Sequence, residues 1–304
     1  MMSAPYPAPC EICGAAQWRE AYCGAVRDGA FGKLSPEAAR VMQCDGCGAQ
    51  RLEEAACKDD SFYEGTRYRE LLQEASDAHG FWAAHDVHQM RNLQMFWPNP
   101  LRNKLVADIG CAAGSFLDHL GRLPRACLAV EPCREYHASL RQRGYLVYAS
   151  AAEAAEAHRS CVEAAFSFST IENVAVPLSF LADIRSLMTR SGLLLISTPN
   201  RNDILMRLLG DEYRQFFYRS VHRWYFDATS LSNLVERAGF ETAQCRCLHR
   251  FGISNALHWL RDRKPSGEMP LEVLNDPLLN EFWKSFLESK GVGDYLYLLA
   301  ECKG

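Results

Sequence analysis

A chain of 304 residues can hold one large domain plus a small one, or two modest domains. Its 33 basic and 37 acidic side chains leave a net charge of −4, which is no electrostatic footprint for a nucleic-acid backbone. No apolar run approaches a membrane span and the N-terminus lacks a signal-peptide core, so no membrane partner is expected and the expected compartment is cytoplasmic.

Residues 1–9 are rich in Pro and Ala and are expected to be disordered. Of the 13 cysteines, four form two Cys-x-x-Cys-Gly units, Cys10/Cys13 and Cys44/Cys47, separated by 30 residues. The glycine after each pair suits the tight turn that aims both sulfurs at one metal, and four thiolates are a ligand set for tetrahedral structural Zn2+. A hairpin with its loop near Asp28-Gly29 would fill the spacer. The other cysteines lie mostly among apolar residues and read as small buried hydrophobes. Residues 1–58 are therefore expected to form a small zinc ribbon.

Residues 59–104 are polar with aromatic punctuation, and Ser76 to Gln94 reads as a helix that ends before Pro98. This segment is expected to link the ribbon to the next domain and to lie over its pocket. From Lys104 the pattern alternates. Strands are expected near 105–109, 126–130, 145–148, 164–169, 192–197, 241–248 and 294–302. Helices are expected near 114–122, 134–143, 151–158, 178–189 and 228–238. Strand–helix alternation implies βαβ units and an α/β fold with a doubly wound, mostly parallel, seven-stranded sheet over 105–304. Residues 251–291 form a helical insertion broken at Pro265-Ser266-Gly267.

The stretch Val106–Leu117 organises the second domain: a buried strand, a Gly-containing turn and a helix start. Unpaired backbone N–H groups at such a helix start, with small residues at Gly110, Ala112, Ala113 and Gly114, make a place where a ligand approaches the backbone. Glu131 follows Asp108 by 23 residues, which puts a carboxylate at the neighbouring strand end, able to take both hydroxyls of a ribose. Asp108 ahead of the turn repels phosphate but suits a cofactor carrying an ammonium and a sulfonium, which favours S-adenosylmethionine over a dinucleotide.

Val106–Leu117 resembles the first motif of class I S-adenosylmethionine-dependent methyltransferases, and Glu131-Pro132 resembles their second. Phe166–Val174, Gly192–Asn200, and His222–Phe226 followed by Leu231–Phe240 are similar to later segments of the same family. The ribbon resembles that of a subgroup acting on sugars and natural products. The resemblance implies that Asp108 meets the methionine amino group, Glu131-Pro132 the ribose, and Gly110, Cys111, Ala112 and Gly114 the close face of the cofactor. Ser150-Ala151 would sit by the adenine and Phe168-Ser169 along the methionine portion. Ala112 stands where the family has Gly, a change a methyl group tolerates if φ stays negative there. Asn173 and Val221 stand where C-methylating sugar enzymes carry His and an acid, which argues against C-methylation.

Methyl transfer to a hydroxyl needs alignment and proton removal. His222 is the expected base, in a loop over the pocket, the alternative being that it only hydrogen-bonds loop backbone; Glu172 either holds it or caps a helix. Tyr63, Tyr68, Arg223 and Tyr225 are the expected substrate wall, although core packing explains the tyrosines equally well. The expected activity is O-methylation of a sugar, a nucleotide-linked sugar or a related small molecule. C-methylation of a deoxysugar nucleotide, methylation of RNA or protein, and a non-catalytic scaffold are the alternatives.

Overall fold

The computed structural model describes residues 9–265 and 271–303. Most of the Pro- and Ala-rich start, and Ser266-Gly267, lie outside the described residues.

Three antiparallel strands come first: β1 (Trp18–Gly24), β2 (Ala39–Cys44) and β3 (Gln50–Leu52). β1 and β2 form the hairpin expected between the cysteine pairs, paired from Trp18↔Cys44 to Gly24↔Ala39 with the register shifting between Glu20 and Tyr22. Two helices follow, α1 (Arg67–Leu72) and α2 (Ala78–Phe96). α2 starts where the Asp77 carboxylate accepts from the Gly80 N–H at 3.0 Å and stops at Trp97, ahead of Pro98.

The alternating region then runs β4 (Leu105–Ile109), α3 (Ser115–Leu120), β5 (Ala126–Val130), α4 (His137–Gln142), β6 (Leu146–Tyr148), α5 (Ala151–His158), β7 (Val162–Phe168), α6 (Pro177–Leu187) and β8 (Met188–Pro199). After it come α7 (Ile204–Leu209), α8 (Asp211–Phe217), the two-residue β9 (Trp224–Tyr225), α9 (Ala228–Arg237), β10 (Phe240–Leu248), α10 (Ile253–Asp262), α11 (Pro277–Ser289) and β11 (Tyr295–Cys302). The helix starts follow local chemistry. Ser150 caps α5, Pro177 opens α6, and Asp227 and Ser230 close a reciprocal cap on α9.

Seven strands form the main sheet in the order β10-β11-β8-β7-β4-β5-β6. β4, β5, β6, β7 and β8 are parallel; β11 runs antiparallel between β8 and β10. This is the doubly wound, mostly parallel, seven-stranded sheet expected from the sequence. β4 and β5 are paired in step, Leu105↔Ala126 to Ile109↔Val130, so Glu131 emerges one residue past β5 beside the turn that leaves β4. The chain builds outward through β5 and β6, then returns to place β7 on the other side of β4. That reversal opens a crevice at the C-terminal strand ends.

β9 joins β3, with Gln50↔Tyr225 and Arg51↔Trp224, so a four-stranded sheet β1-β2-β3-β9 spans the first residues and the second half of the chain. Cys10, Ile12, Cys44 and Cys47 lie in one buried cluster with Trp224, Phe226 and the apolar face of the main sheet. The other face of the small sheet packs Tyr22, Val26 and Leu52 against α7, α8 and Trp259 of α10. Among the described residues no helix is long and apolar enough to cross a membrane.

Candidate active site

A cavity of about 1120 Å³ opens at the C-terminal ends of β4, β5, β7 and β8, roofed by α1 and α2. Its volume lies above the usual range for one small ligand, which leaves room for two reactants side by side.

The turn after β4 is held in an unusual backbone. Gly110 has φ +81°, Ala112 +47° and Gly114 +76°. A Cβ at Gly110 would sit 2.4 Å from Thr170 Oγ1, so glycine is required there for space as well as for conformation. Ala112 departs from the expectation of a negative φ. The turn keeps the left-handed backbone that glycine would adopt, and the alanine bears the strain. The strain is over-determined by neighbours: the Ala112 N–H donates to Glu131 Oε2 at 2.7 Å, and Glu131 Oε1 accepts from the Cys133 N–H at 2.9 Å. From above, Trp82 Nε1 and Arg143 donate to the Ala113 carbonyl, and Ser115 bonds Asp86 of α2.

Asp108 is 3% exposed and Glu131 7%. Burial, with the Glu131 charge nearby, pushes the Asp108 carboxyl up to about 8, and burial also raises Glu131. Two buried acids facing one cavity form a seat for a cation. Cys111, Pro132, Ser150, Ala151, Phe168 and Ser169 line the same wall. The Ser150 hydroxyl is already engaged in capping α5, accepting from Glu153 N at 3.1 Å. The Ser169 hydroxyl bonds Tyr295, and Phe168 packs edge-on against Phe116. Gly114 is not in the wall: it starts α3, where a Cβ would meet Leu140 Cδ2 at 2.6 Å.

At the other end, Tyr63, Tyr68, Glu172, Arg219 and His222 line the cavity with Tyr295 and Arg250. Tyr63 is fixed by donating to the Val221 carbonyl at 2.7 Å. His222 is buried, and desolvation together with Arg219 and Arg27 holds its pKa well below the usual value, so its ring is neutral near pH 7. Glu172 does not hold His222. Its carboxylate accepts from Thr198 Oγ1 at 2.9 Å, and burial raises it to about 7. Its carbonyl accepts the N–H groups of Arg223 and Trp224.

Arg223 and Tyr225 do not reach the cavity. Arg223 turns toward the ribbon, pairing with Glu54 and donating to the Lys58 carbonyl at 3.0 Å. Tyr225 is buried in β9, its hydroxyl donating to the carbonyls of Arg219 and His222. Both follow from β9 joining β3, which aims these side chains into the seam. Glu172, Arg219, Tyr295 and Tyr297 are cavity residues that sequence reasoning did not select as binding residues. For the tyrosines a signal existed, since Tyr295 and Tyr297 share one face at strand spacing.

Residues 78–244, more than half of the chain, match the sequence model of a family described as a methyltransferase domain. The chain belongs to the class I S-adenosylmethionine-dependent methyltransferases. It is similar to the ubiquinone biosynthesis O-methyltransferase of Dinoroseobacter shibae, 28% identical over 155 residues, covering 47% of this chain and 62% of that protein. The protein of the same name from Thiobacillus denitrificans is 25% identical over 196 residues, covering 58% of this chain and 84% of that one. The chain thus spans about three-fifths of the length of the first of these relatives. A chain in the complex between the Haloferax volcanii Trm112 methyltransferase activator and a methyltransferase matches in fold, with TM-score 0.51 at 13% identity, covering 75% of this chain and 94% of that one.

Away from the cavity, the sulfurs of Cys10, Cys13, Cys44 and Cys47 all lie within 4.8 Å of one another. The two knuckles repeat each other: Gly14 N donates to Cys10 O at 2.8 Å and Gly48 N to Cys44 O at 2.9 Å, with φ +75° and +76° at the two glycines. The sulfur separations, 3.9 Å for Cys10–Cys47 and 3.4 Å for Cys13–Cys44, are close to those around a tetrahedral ion with bonds of about 2.3 Å. The donor set fits zinc.

Replacing Ala112 with Gly removes the strained methyl while adding chain entropy to the unfolded state. The unfolding free energy of Ala112→Gly is expected to rise by about 0.5–1 kcal/mol in urea titrations. A loss of stability would show that the methyl group's packing outweighs its strain.

Proposed function

We propose that this protein transfers a methyl group from S-adenosylmethionine to a hydroxyl oxygen of a small ring-bearing acceptor. The observation that carries this reading is a single cavity with the Asp108–Glu131 pair at one end and His222, Glu172 and tyrosine rings at the other. S-adenosylmethionine supplies a methyl group on a positively charged sulfur, an excellent leaving group. Asp108 holds the methionine ammonium and Glu131 the ribose hydroxyls, while the Glu131 bond to Ala112 N keeps the turn shaped around them. Ser150-Ala151 sits by the adenine and Phe168-Ser169 along the methionine chain. The roof of α1 and α2 limits access of water.

His222, neutral and facing the cavity, takes the proton from the acceptor hydroxyl as the new C–O bond forms. Tyr63 and Tyr68 hold the acceptor ring. The names of the relatives favour oxygen as the acceptor atom. A sugar or nucleotide-linked sugar, the class expected from the sequence, and a phenol are both hydroxylated rings that stack on such a wall. Incubating the protein with S-adenosylmethionine and a panel of sugars, sugar nucleotides and phenols should yield S-adenosylhomocysteine and a product heavier by one methylene, read by mass spectrometry. Absence of S-adenosylhomocysteine binding in calorimetry would refute the reading.

Asp108 gives a sharper test. Its carboxyl, at about 8 in the free protein, is mostly protonated at pH 7 and must ionise opposite an ammonium. Binding of S-adenosylhomocysteine at pH 7 is expected to release close to one proton, measured by calorimetry in buffers of different ionisation enthalpy. The release should vanish in Asp108→Asn.

Cys10, Cys13, Cys44 and Cys47 hold a structural Zn2+ in the same reading. The site is closed, with four thiolates and no open position, so it contributes to folding and not to methyl transfer. Native protein should carry one zinc per chain by elemental analysis, and Cys44→Ser should lose it and melt at lower temperature. Zinc-free native protein with unchanged melting would exclude this role.

A further inference from the structure

Two arginines lie on neighbouring backbone, Arg219 in the cavity wall and Arg27 behind it. Arg27 and Arg219 are linked as neighbours on parallel backbone, and the Ser220 N–H donates to the Arg27 carbonyl at 2.9 Å. Among the described residues neither guanidinium makes an ion pair, and the Nε of each is buried without a hydrogen-bond partner. Neither nearby acid makes an ion pair with them. Asp28 is paired with Lys58 at 2.9 Å and bonds Ser220; Glu172 accepts from Thr198 and feels the Arg219 charge, but burial still raises its carboxyl to about 7. Arg27 is instead supported from behind by the Phe216 ring, 4.2 Å from its guanidinium carbon. Of the other arginines that line the cavity, Arg69 is neutralised by Glu74 and Arg250 by Asp294, each at 2.6 Å; Arg91 and Arg134 make no ion pair among the described residues either, but neither has a buried nitrogen without a hydrogen-bond partner.

A half-buried guanidinium costs desolvation, and a second one beside it adds repulsion. The planar fork of Arg matches a phosphoryl or carboxyl group better than any other side chain. Arg219 lines the cavity next to His222, three residues on in the same loop, whereas Arg27 stands behind it. An anion on Arg219 would therefore lie beside the hydroxyl that His222 deprotonates.

We infer that Arg219, backed by Arg27, binds an oxyanion of the acceptor, a phosphoryl or carboxyl group placed beside the hydroxyl to be methylated. This rests on the methyl-transfer reading of the same cavity. It narrows the acceptor from any hydroxylated ring to an anionic one. Asp108 and Glu131 stand at the ends of β4 and β5, whereas Arg219 acts on Glu172, which follows β7, so the cationic cofactor and the anionic acceptor would meet different groups of the cavity.

The test uses the full chain saturated with S-adenosylhomocysteine and titrated with inorganic phosphate or malonate at constant ionic strength. Wild-type protein should bind one of the two anions at a single site. Arg219→Gln should weaken that binding at least tenfold with S-adenosylhomocysteine affinity unchanged, and Arg219→Lys should lose less. Tighter phosphate points to a phosphorylated acceptor, and tighter malonate to a carboxylated one. Equal anion affinity in wild type and Arg219→Gln overturns the inference. Should Arg219→Gln fail to fold, wild-type protein alone decides: bound anion must shield Arg219 from phenylglyoxal, read by peptide mass spectrometry, and no shielding overturns it. Failure of the wild type to bind S-adenosylhomocysteine would instead remove the methyl-transfer reading beneath it.

Discussion

The hydrogen bond from the Ala112 N–H to the Glu131 carboxylate is the constraint on which the rest of the cofactor end depends. It crosses from the turn after β4 to the end of β5, and it can form only because those strands pair in step with Glu131 one residue beyond. A carboxylate in that position is buried, so it must be satisfied, and the amides of Ala112 and Cys133 satisfy it. The same bond holds Ala112 at a φ that L residues avoid. Packing of Trp82 and Arg143 onto Ala113 then fixes the turn from above. A rigid, buried turn flanked by buried acids is preorganised, so little ordering remains when a ligand arrives.

The second constraint is the two-residue strand β9. It is short, but it joins the cysteine knuckles to the loop that carries Arg219 and His222. Gln50 and Arg51 pair with Tyr225 and Trp224, Leu52 N donates to the Arg223 carbonyl, and Tyr218 donates to Gln50 at 2.8 Å. Trp224 is fully buried between the knuckles and the main sheet. Four thiolates held together by one ion would therefore stiffen the acceptor loop as well as the first residues. An ion held there would be structural in its chemistry, yet it would sit one strand away from the loop of Arg219 and His222.

Most of the main sheet was legible because its strands are continuous apolar runs bounded by turn residues. β4 and β5 match their expected limits at Leu105–Ile109 and Ala126–Val130, since both are buried on both faces and stop at polar residues. The cysteine knuckles were legible from spacing alone. What escaped was set by tertiary contact. Arg223 and Tyr225 carry the right chemistry for a substrate wall, but backbone pairing to β3, decided 170 residues away, turns them into the seam. Ala112 escaped in the other direction: its residue type suggests negative φ, and only the Glu131 bond reveals why it adopts the opposite. The pairing of Arg27 with Arg219 likewise needs two distant segments to meet.

Charge gives the cavity a direction. The cofactor end presents Asp108 and Glu131, both lifted toward neutrality by burial, while the far end presents Arg219 with Arg27 behind it and a neutral His222. Each end is electrostatically unfinished in the free protein, one by acids that resist ionising and the other by two arginines that make no ion pair among the described residues, with only the burial-raised Glu172 carboxyl near Arg219. A cation at the first end ionises the acids. Burial is the larger cause of the depressed His222; an anion at the second end would offset the part that comes from Arg219 and Arg27 and make the imidazole a stronger base. Under the proposed reading an anionic acceptor would strengthen the group that deprotonates it, and an uncharged analogue of the same shape would meet a weaker base as well as a weaker site. Discrimination in such a cavity acts on the proton-transfer step and on binding together, which a purely steric pocket does not achieve.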